Sequence, residues 1–170
     1  MNGVAGRTGK KLAMMKSLMV FLFFLSVCLG VGALGSHVTA ISVSSWYTLI
    51  EKPSWTPSNW LFPPVWTTIF VLMAIAAWMV WKAAGCRFPA RVFAVFVLQL
   101  VLNLGWSILF FGMQSPGSAF IEIIFLWAII IFMIAMFRSK SPVTTFLLLP
   151  YLVWITFAGY LNYAIWILNP

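Results

Sequence analysis

Charged residues are scarce in this sequence, and acidic residues are almost missing. The 170 residues include ten lysines and arginines but only two acidic residues, so charged residues make up 7% of the chain. Soluble globular domains carry about 25% charged residues. Here hydrophobic residues reach 64%, and the mean hydropathy is +1.06. The composition therefore excludes a water-soluble domain and predicts a protein that lies within the membrane.

The residues that catalysis and metal binding usually require are also few. Glu51 and Glu122 do not form a pair, His37 is the single histidine, and Cys28 and Cys86 fit no metal or redox spacing. No Ser-His-Asp set and no glycine-rich phosphate loop is present. We therefore predict no metal site, no disulfide and no required cofactor. Any chemistry would have to use the reactivity of a ligand and of the tryptophans.

The hydrophobic residues do not alternate with polar ones, which excludes a transmembrane β-barrel. They form five continuous runs, each close to the roughly 20 residues that cross a bilayer. The first run is longer than the core of a signal peptide, about 7–15 residues, so we expect it to remain as a helix. We predict an all-α integral membrane protein, a single domain over 17–168 after an N-terminal segment 1–16. Its five transmembrane helices are predicted at about 17–38, 64–81, 89–111, 117–137 and 143–168, with a long loop over 39–63.

The charges are unevenly distributed along the chain. With five spans, the N-terminus, the second loop and the fourth loop share one side, where nine basic residues lie: Arg7, Lys10, Lys11, Lys16, Lys82, Arg87, Arg91, Arg138 and Lys140. Lys52 is the basic residue of the other side. Because basic loops mostly stay in the cytoplasm, we predict a cytoplasmic N-terminus, an outside C-terminus and an outward-facing long loop. The basic residues form no stripe on one face, so we predict no nucleic-acid binding.

Polar and tryptophan side chains within the predicted helices concentrate in the outward half, beneath the long loop. Gln99, Asn103 and Trp106 are spaced i, i+4 and i+7, and they share one stripe of the third helix. The second and fifth helices offer similar stripes, formed by Trp66 and Phe70 and by Trp154, Ala158 and Leu161. Together these stripes predict an aromatic box with a few amides, which suits a large, flat, apolar ligand.

Several of these residues have a purely structural alternative. Tryptophans near helix ends, such as Trp78, Trp81 and Trp166, are typical of interfacial belts. Amides such as Asn103 often form hydrogen bonds between membrane helices without a functional role. A buried acid such as Glu122 indicates function by default, although bonds to neighbouring hydroxyls would also satisfy it. The residues alone leave these alternatives open.

Several blocks of residues resemble the translocator protein family, whose bacterial members are called TspO or tryptophan-rich sensory proteins. They occur in order from about residue 46 to residue 166, in the long loop and four of the five helices. The blocks are Lys52-Pro53-Ser54-Trp55-Thr56-Pro57 with Trp60 and Pro64-Val65-Trp66; Ala76-Ala77-Trp78 with Val80-Trp81; Leu102-Asn103 with Trp106 and Phe110-Phe111-Gly112; and Pro150-Tyr151-Leu152-Val153-Trp154 with Phe157-Ala158 and Leu161-Asn162-Tyr163.

The resemblance implies a five-helix bundle, commonly dimeric, in a bacterial cell membrane. It implies a pocket for porphyrins, such as protoporphyrin IX or haem, and for aromatic drug-like ligands. Family pocket positions correspond to Trp46, Tyr47, Trp66, Asn103, Trp106, Trp154, Ala158 and Leu161. The resemblance also implies light-dependent oxidative breakdown of protoporphyrin, with Trp66 and Trp154 as the catalytic residues.

One departure from the family concerns sterols. Mitochondrial members end a sterol-recognition stretch of the fifth helix with a basic residue, and the segment from Leu161 to Leu168 has none. We therefore predict a tetrapyrrole-binding translocator or sensor protein. Two alternatives remain: a transporter of porphyrins, sterols or other amphipathic ligands, and a dimeric signalling or scaffold protein. Ala90 and Ala94, spaced i and i+4 on the third helix, would suit a dimer contact.

Overall fold

The computed structural model describes residues 2–170, with side chains from Gly9 onward. Five long helices dominate it, each long and apolar enough to cross a membrane, and residues 2–170 contain no strand. The predicted fold class is therefore confirmed. The helices are α1 (Asn2–Val43), α2 (Trp46–Leu49), α3 (Phe62–Ala83), α4 (Ala90–Ser107), α5 (Pro116–Arg138) and α6 (Val143–Leu168). A 3₁₀ turn, Asn59–Leu61, precedes α3, and a π-helical turn, Ile108–Gly112, continues α4.

The long helices form a closed ring in which each packs mainly against two neighbours. The order around the ring is α1, α3, α6, α5 and α4, and α4 contacts α1 again. Neighbours in sequence are mostly neighbours in space because the connections are short. The exception is the pair α3 and α4, which a short turn joins although α1 lies between them in the ring. The segment 44–61 covers one end of this ring, which we call the loop end.

Prolines and one left-handed turn set the ends of the helices. Pro63 and Pro116 lie in the first turn of α3 and α5, where a missing N–H leaves no hydrogen bond unmade. After α3 the chain forms a Schellman motif, in which Gly85 N–H donates to the Lys82 carbonyl and Cys86 N–H to the Trp81 carbonyl. Gly85 has φ +72°, a conformation that glycine adopts without strain. The motif ends α3 and returns the chain antiparallel into α4.

The first helix is longer than its predicted range of 17–38. It continues through residues 39–43, which we expected in the loop, and it begins at Asn2. Contacts with the π-helical turn stabilise its last turns: Ser42 Oγ donates a 2.6 Å hydrogen bond to the Phe111 carbonyl, and Gly112 lies beside Val38. The other four helices begin and end within two residues of their predicted bounds when the π-helical turn Ile108–Gly112 is counted with α4.

Candidate ligand-binding site

A cavity of about 410 Å³ lies at the loop end, within the ring of helices. Helices α1, α3, α4 and α6 and the segment 44–61 all contribute to its wall. Its volume is in the range of small-molecule sites, about 300–1,000 Å³. Among the described residues, no lining side chain is charged, and none is a histidine, cysteine or methionine. The cavity therefore suits an apolar ligand, with orientation supplied by a few amides and hydroxyls.

Eight of the ten residues predicted to bind ligand lie in this wall. They are Tyr47, Trp66, Phe70, Asn103, Trp106, Trp154, Ala158 and Leu161. The structure does not place Gln99 or Trp46 there. Gln99 is fully buried deeper in the bundle, and the Trp46 ring packs edge-on against Phe110, with 5.7 Å between ring centroids. Neither residue therefore lines the cavity.

A chain of hydrogen bonds fixes the amide of Asn103. Asn103 Nδ2 donates to the Tyr151 hydroxyl at 3.1 Å, and that hydroxyl donates to Gln99 Oε1, also at 3.1 Å. Gln99 Nε2 then points at Met73 Sδ, 3.0 Å away. The chain joins α4 to α6 and α3. The chain uses one of the two N–H groups of the Asn103 amide, and the carbonyl oxygen of Asn103 stays available to a ligand as a hydrogen-bond acceptor.

A second chain fixes the indole of Trp106. Its Nε1 donates to Asn162 Oδ1 at 2.9 Å, and Asn162 Nδ2 donates to the Pro116 carbonyl at 2.8 Å. Pro116 is the first residue of α5, so its carbonyl is held in the first helical turn. The Trp106 ring also stacks on Phe110, with centroids 5.2 Å apart and planes 21° apart. The Trp106 indole N–H and the Asn162 amide are therefore already paired.

Trp66 and Trp154 line the same cavity but differ in how they are held. The Trp66 ring stacks on Phe70, with 5.6 Å between centroids, and meets the edge of Tyr151 at 6.3 Å. Trp154 lies edge-on to Phe62, with centroids 5.6 Å apart. Its Nε1 is buried and has no hydrogen-bond partner within residues 9–170. Trp154 is therefore held by packing contacts, without a hydrogen bond from its indole within residues 9–170.

The segment 44–61 closes the cavity with Tyr47. This side chain is buried, and the Lys52 ammonium lies 4.8 Å from its ring centroid. Lys52 Nζ also donates to the carbonyls of Tyr47 and Ile50, at 2.6 Å and 2.9 Å. Burial raises the pKa of Tyr47, so its hydroxyl keeps its proton and can donate a hydrogen bond. Lys52 thus places a positive charge beside the covering segment, outside the cavity wall.

The same segment is fastened to the end of α6. Glu51 N–H donates to Asn169 Oδ1 at 3.0 Å, and Asn169 Nδ2 donates to the Glu51 carbonyl at 2.9 Å. The Trp55 ring stacks on Tyr160 of α6, with centroids 5.1 Å apart and planes 14° apart. These contacts hold the covering segment over the cavity.

Sequence reasoning missed the contribution of α1 to the wall. Its lining residues are mostly small: Val31, Gly32, Gly35, Ser36, Thr39, Ala40 and Val43. Gly32 lies so close to Phe70 that a Cβ at that position would be 2.6 Å from Phe70 Cε2. Small residues repeating every three or four positions were the available signal. Asn59, Phe62, Ser107 and the pair Phe110 and Phe111 also line the cavity unpredicted.

Glu122 lies outside the cavity wall, in the interior of the bundle. Both of its carboxyl oxygens are buried, and neither has a hydrogen-bond partner within the described side chains. Gly105 of α4 leaves space beside it, since a Cβ there would lie 3.9 Å from Glu122 Oε1. The hydroxyl partners that would have satisfied this acid are therefore absent among residues 9–170.

Comparisons with known proteins agree with this architecture. The family model described as the TspO/MBR family matches residues 24–167. The chain is 43% identical over 161 residues to the tryptophan-rich protein TspO of Chlorobaculum tepidum, covering 92% of this chain and 100% of that protein. It is 34% identical over 137 residues to the translocator protein of Bos taurus, covering 79% and 81%. It is 31% identical over 150 residues to the tryptophan-rich sensory protein of Cereibacter sphaeroides, covering 88% and 91%.

Proposed function

The chain belongs to the TspO/MBR family of multi-pass membrane proteins, and from this premise we propose that it binds a tetrapyrrole in the cavity at the loop end. The observation that carries the proposal is the composition of the wall. It combines Trp66, Phe70, Trp106 and Trp154 with the amide of Asn103 and contains no charged side chain among the described residues. Flat aromatic rings stack favourably against such walls.

The polar groups of the wall favour the free porphyrin over its iron complex. The carbonyl oxygen of Asn103 is an acceptor for a pyrrole N–H, which protoporphyrin IX has and haem lacks. Haem iron usually takes a histidine, cysteine, methionine or tyrosine ligand, and among the described lining residues only Tyr47 is of these types. The acid groups of either ligand would stay at the covering segment, near Lys52, because the wall offers them no cation.

We also propose the orientation and assembly that the sequence favours. The excess of basic residues at the end opposite the covering segment supports a cytoplasmic N-terminus in a bacterial cell, with the cavity in the outward half of the membrane. Ala90 and Ala94 are both exposed on α4, which supports a homodimer contact through this helix.

A titration in the dark tests the binding proposal. Protoporphyrin IX is added to purified protein in detergent, and tryptophan quenching is followed. We expect saturable quenching, with affinity reduced at least about tenfold in Trp154→Ala, since burying a large aromatic contributes several kcal/mol. Trp127→Ala is the matched control because Trp127 lies outside the cavity and bonds only Thr156. If micromolar porphyrin gives no saturable quenching, the tetrapyrrole proposal is wrong.

Oxidative breakdown of the bound porphyrin is a second candidate function. The observation that favours it is the presence of both Trp66 and Trp154 in one wall, within reach of a single ligand. Illumination of the titrated complex in air should then bleach the porphyrin band faster than free porphyrin, with dissolved oxygen as the oxidant. Trp66→Phe or Trp154→Phe should abolish the difference. Uptake into vesicles that depends on the protein would instead support transport, and binding without either effect would support sensing.

A further inference from the structure

A second depression, of about 520 Å³, lies on the outer surface of the ring between α3 and α6. We call it the α3/α6 groove. Pro64, Val65 and Thr68 line it on α3, and Pro150, Val153 and Phe157 line it on α6. Thr68 turns its hydroxyl to the Pro64 carbonyl, 2.9 Å away, so the groove presents apolar surface. Val153 is 65% exposed. Since both helices span the membrane, the groove faces hydrocarbon.

The groove and the cavity share one wall residue. Among the described residues, Trp154 alone lines both. It lies near the middle of α6, about 16 Å along a helix about 39 Å long, by the rise per residue. One side chain therefore separates the cavity from the acyl chains near the middle of the bilayer.

The indole of Trp154 lacks the hydrogen bond that holds other tryptophans in this bundle. Trp78, Trp106 and Trp127 each donate to a partner, whereas Trp154 Nε1 is buried without one in the described structure. The contacts that hold it are with the rings of Phe62 and Phe157, each with 5.6 Å between centroids. Such ring pairs contribute about 0.5–1.5 kcal/mol each. Rotation of this side chain therefore breaks no hydrogen bond.

The helix is weakened one turn before Trp154. Pro150 lies within α6 and has no N–H, so the backbone bond to the carbonyl of Phe146 cannot form. Helices bend most readily at such positions. The loop end, by contrast, is fastened by Lys52, Asn169 and the Trp55–Tyr160 stack. Two barriers close the cavity: the covering segment at the loop end and Trp154 at the groove. The barrier at the groove has fewer polar contacts to break.

We propose that the α3/α6 groove is a lateral portal through which the tetrapyrrole passes between the bilayer and the cavity. The apolar edge of the ligand lies in the groove, and rotation of the Trp154 indole joins the groove to the cavity. The wall that the two spaces share at Trp154 and the apolar lining of the groove point to a bilayer-dissolved aromatic ligand as its occupant. The proposal rests on the proposed function, because the cavity must bind such a ligand.

Filling the groove tests the portal. Val153→Trp adds a large side chain to the groove but lies outside the cavity wall. In proteoliposomes, the association and dissociation rates of protoporphyrin IX, followed by its absorption band, should both fall about tenfold with an unchanged Kd, since a closed gate slows both directions alike. Ile124→Trp, at an exposed site of α5 outside both spaces, is the control. Thr68→Trp fills the groove from α3 and should repeat the result. Rates equal to those of Ile124→Trp would overturn the portal.

A second measurement separates failure of the portal from failure of the proposed function. If no variant binds protoporphyrin IX at equilibrium, the proposed function fails. The groove is then still tested by lipids brominated in mid-chain, which quench tryptophans that acyl chains touch. Brominated lipid should remove more tryptophan fluorescence from the wild type than from Trp154→Phe, because Trp154 forms the inner wall of the groove. Equal quenching would show that acyl chains do not reach Trp154 and would overturn the portal.

Discussion

At the scale of single residues, Tyr151 links the cavity to the interior of the bundle. Its buried hydroxyl accepts from Asn103 and donates to Gln99, and its ring meets the edge of Trp66. One side chain of α6 thus positions a polar and an aromatic residue of the wall. Asn103 and Trp66 thus both contact a side chain that does not itself line the cavity.

Tyr151→Phe should therefore destabilise the protein. The change keeps the ring but leaves the amides of Asn103 and Gln99 with an unmade hydrogen bond, which costs about 1–3 kcal/mol in a buried site. Thermal unfolding in detergent should show a lower Tm. Tyr160→Phe is the control, because Tyr160 is 64% exposed and keeps its stack on Trp55. Equal Tm values for the two variants would show that the hydrogen-bond chain contributes nothing.

For a substitution of Glu122 we predict the opposite effect, a gain in stability. A buried carboxyl without a partner raises the free energy of the folded state, so Glu122→Met should stabilise the bundle by about 1–3 kcal/mol. The comparison is the Tm of Glu51→Gln, which alters an exposed acid of the covering segment. A fall in Tm for Glu122→Met would contradict this expectation and reveal a partner for the carboxyl in the membrane-embedded protein.

The sequence predicted most of the site because spacing along a helix determines which residues share a face. Asn103 and Trp106 followed from this rule, but so did Gln99, which lies one turn deeper, where Tyr151 and Met73 fill the space. Depth along the stripe depends on packing between helices, which spacing does not report. The part of the wall formed by α1 was not predicted, because glycine, alanine and serine have no aromatic ring or amide that would indicate a binding site.

At the scale of helices, α1 contributes close packing to the cavity wall, because most of its lining residues are small. Gly32 allows the Phe70 ring to approach the backbone of α1, whereas Gly30 faces open space. Hydropathy and prolines were enough to predict all five long helices, because each run must satisfy its own backbone within the membrane. They were not enough to predict the π-helical turn after Ser107, whose extra residue widens α4 where Phe110 stacks on Trp106.

Gly32→Ala and Gly30→Ala should differ sharply. The new Cβ of Gly32→Ala would lie 2.6 Å from Phe70 Cε2 and must displace that ring from the cavity wall. Such overpacking costs about 1–3 kcal/mol, so we expect protoporphyrin IX binding to weaken by about tenfold. Gly30→Ala should bind as wild type, since nothing lies within 4 Å of its Cβ position. Equal affinities would show that Phe70 does not shape the site.

At the scale of the whole molecule, the net charge of +8 is concentrated at the end opposite the covering segment. The exposed Cys86 lies at that end, in the turn between α3 and α4, while Cys28 is buried. This distribution makes the orientation measurable with the natural sequence.

A membrane-impermeant maleimide should label Cys86 in inverted vesicles but not in intact bacterial cells, because the basic end is expected in the cytoplasm. In a Cys86→Ser background, Ser54→Cys places a thiol at an exposed position of the covering segment and should label from outside. The reverse pattern would invert the proposed topology and put the cavity at the cytoplasmic face.

The order of the ring also bears on how the protein is made. Ribosomes deliver helices in sequence, so α1, α3, α4 and α5 enter the membrane before α6. In the finished ring α6 lies between α3 and α5, two helices already inserted, and it brings Trp154, Ala158 and Leu161 with it. A nascent chain that has not yet inserted α6 therefore has a gap between α3 and α5, where one wall of the cavity will form. The cavity wall closes only when α6 has inserted between them.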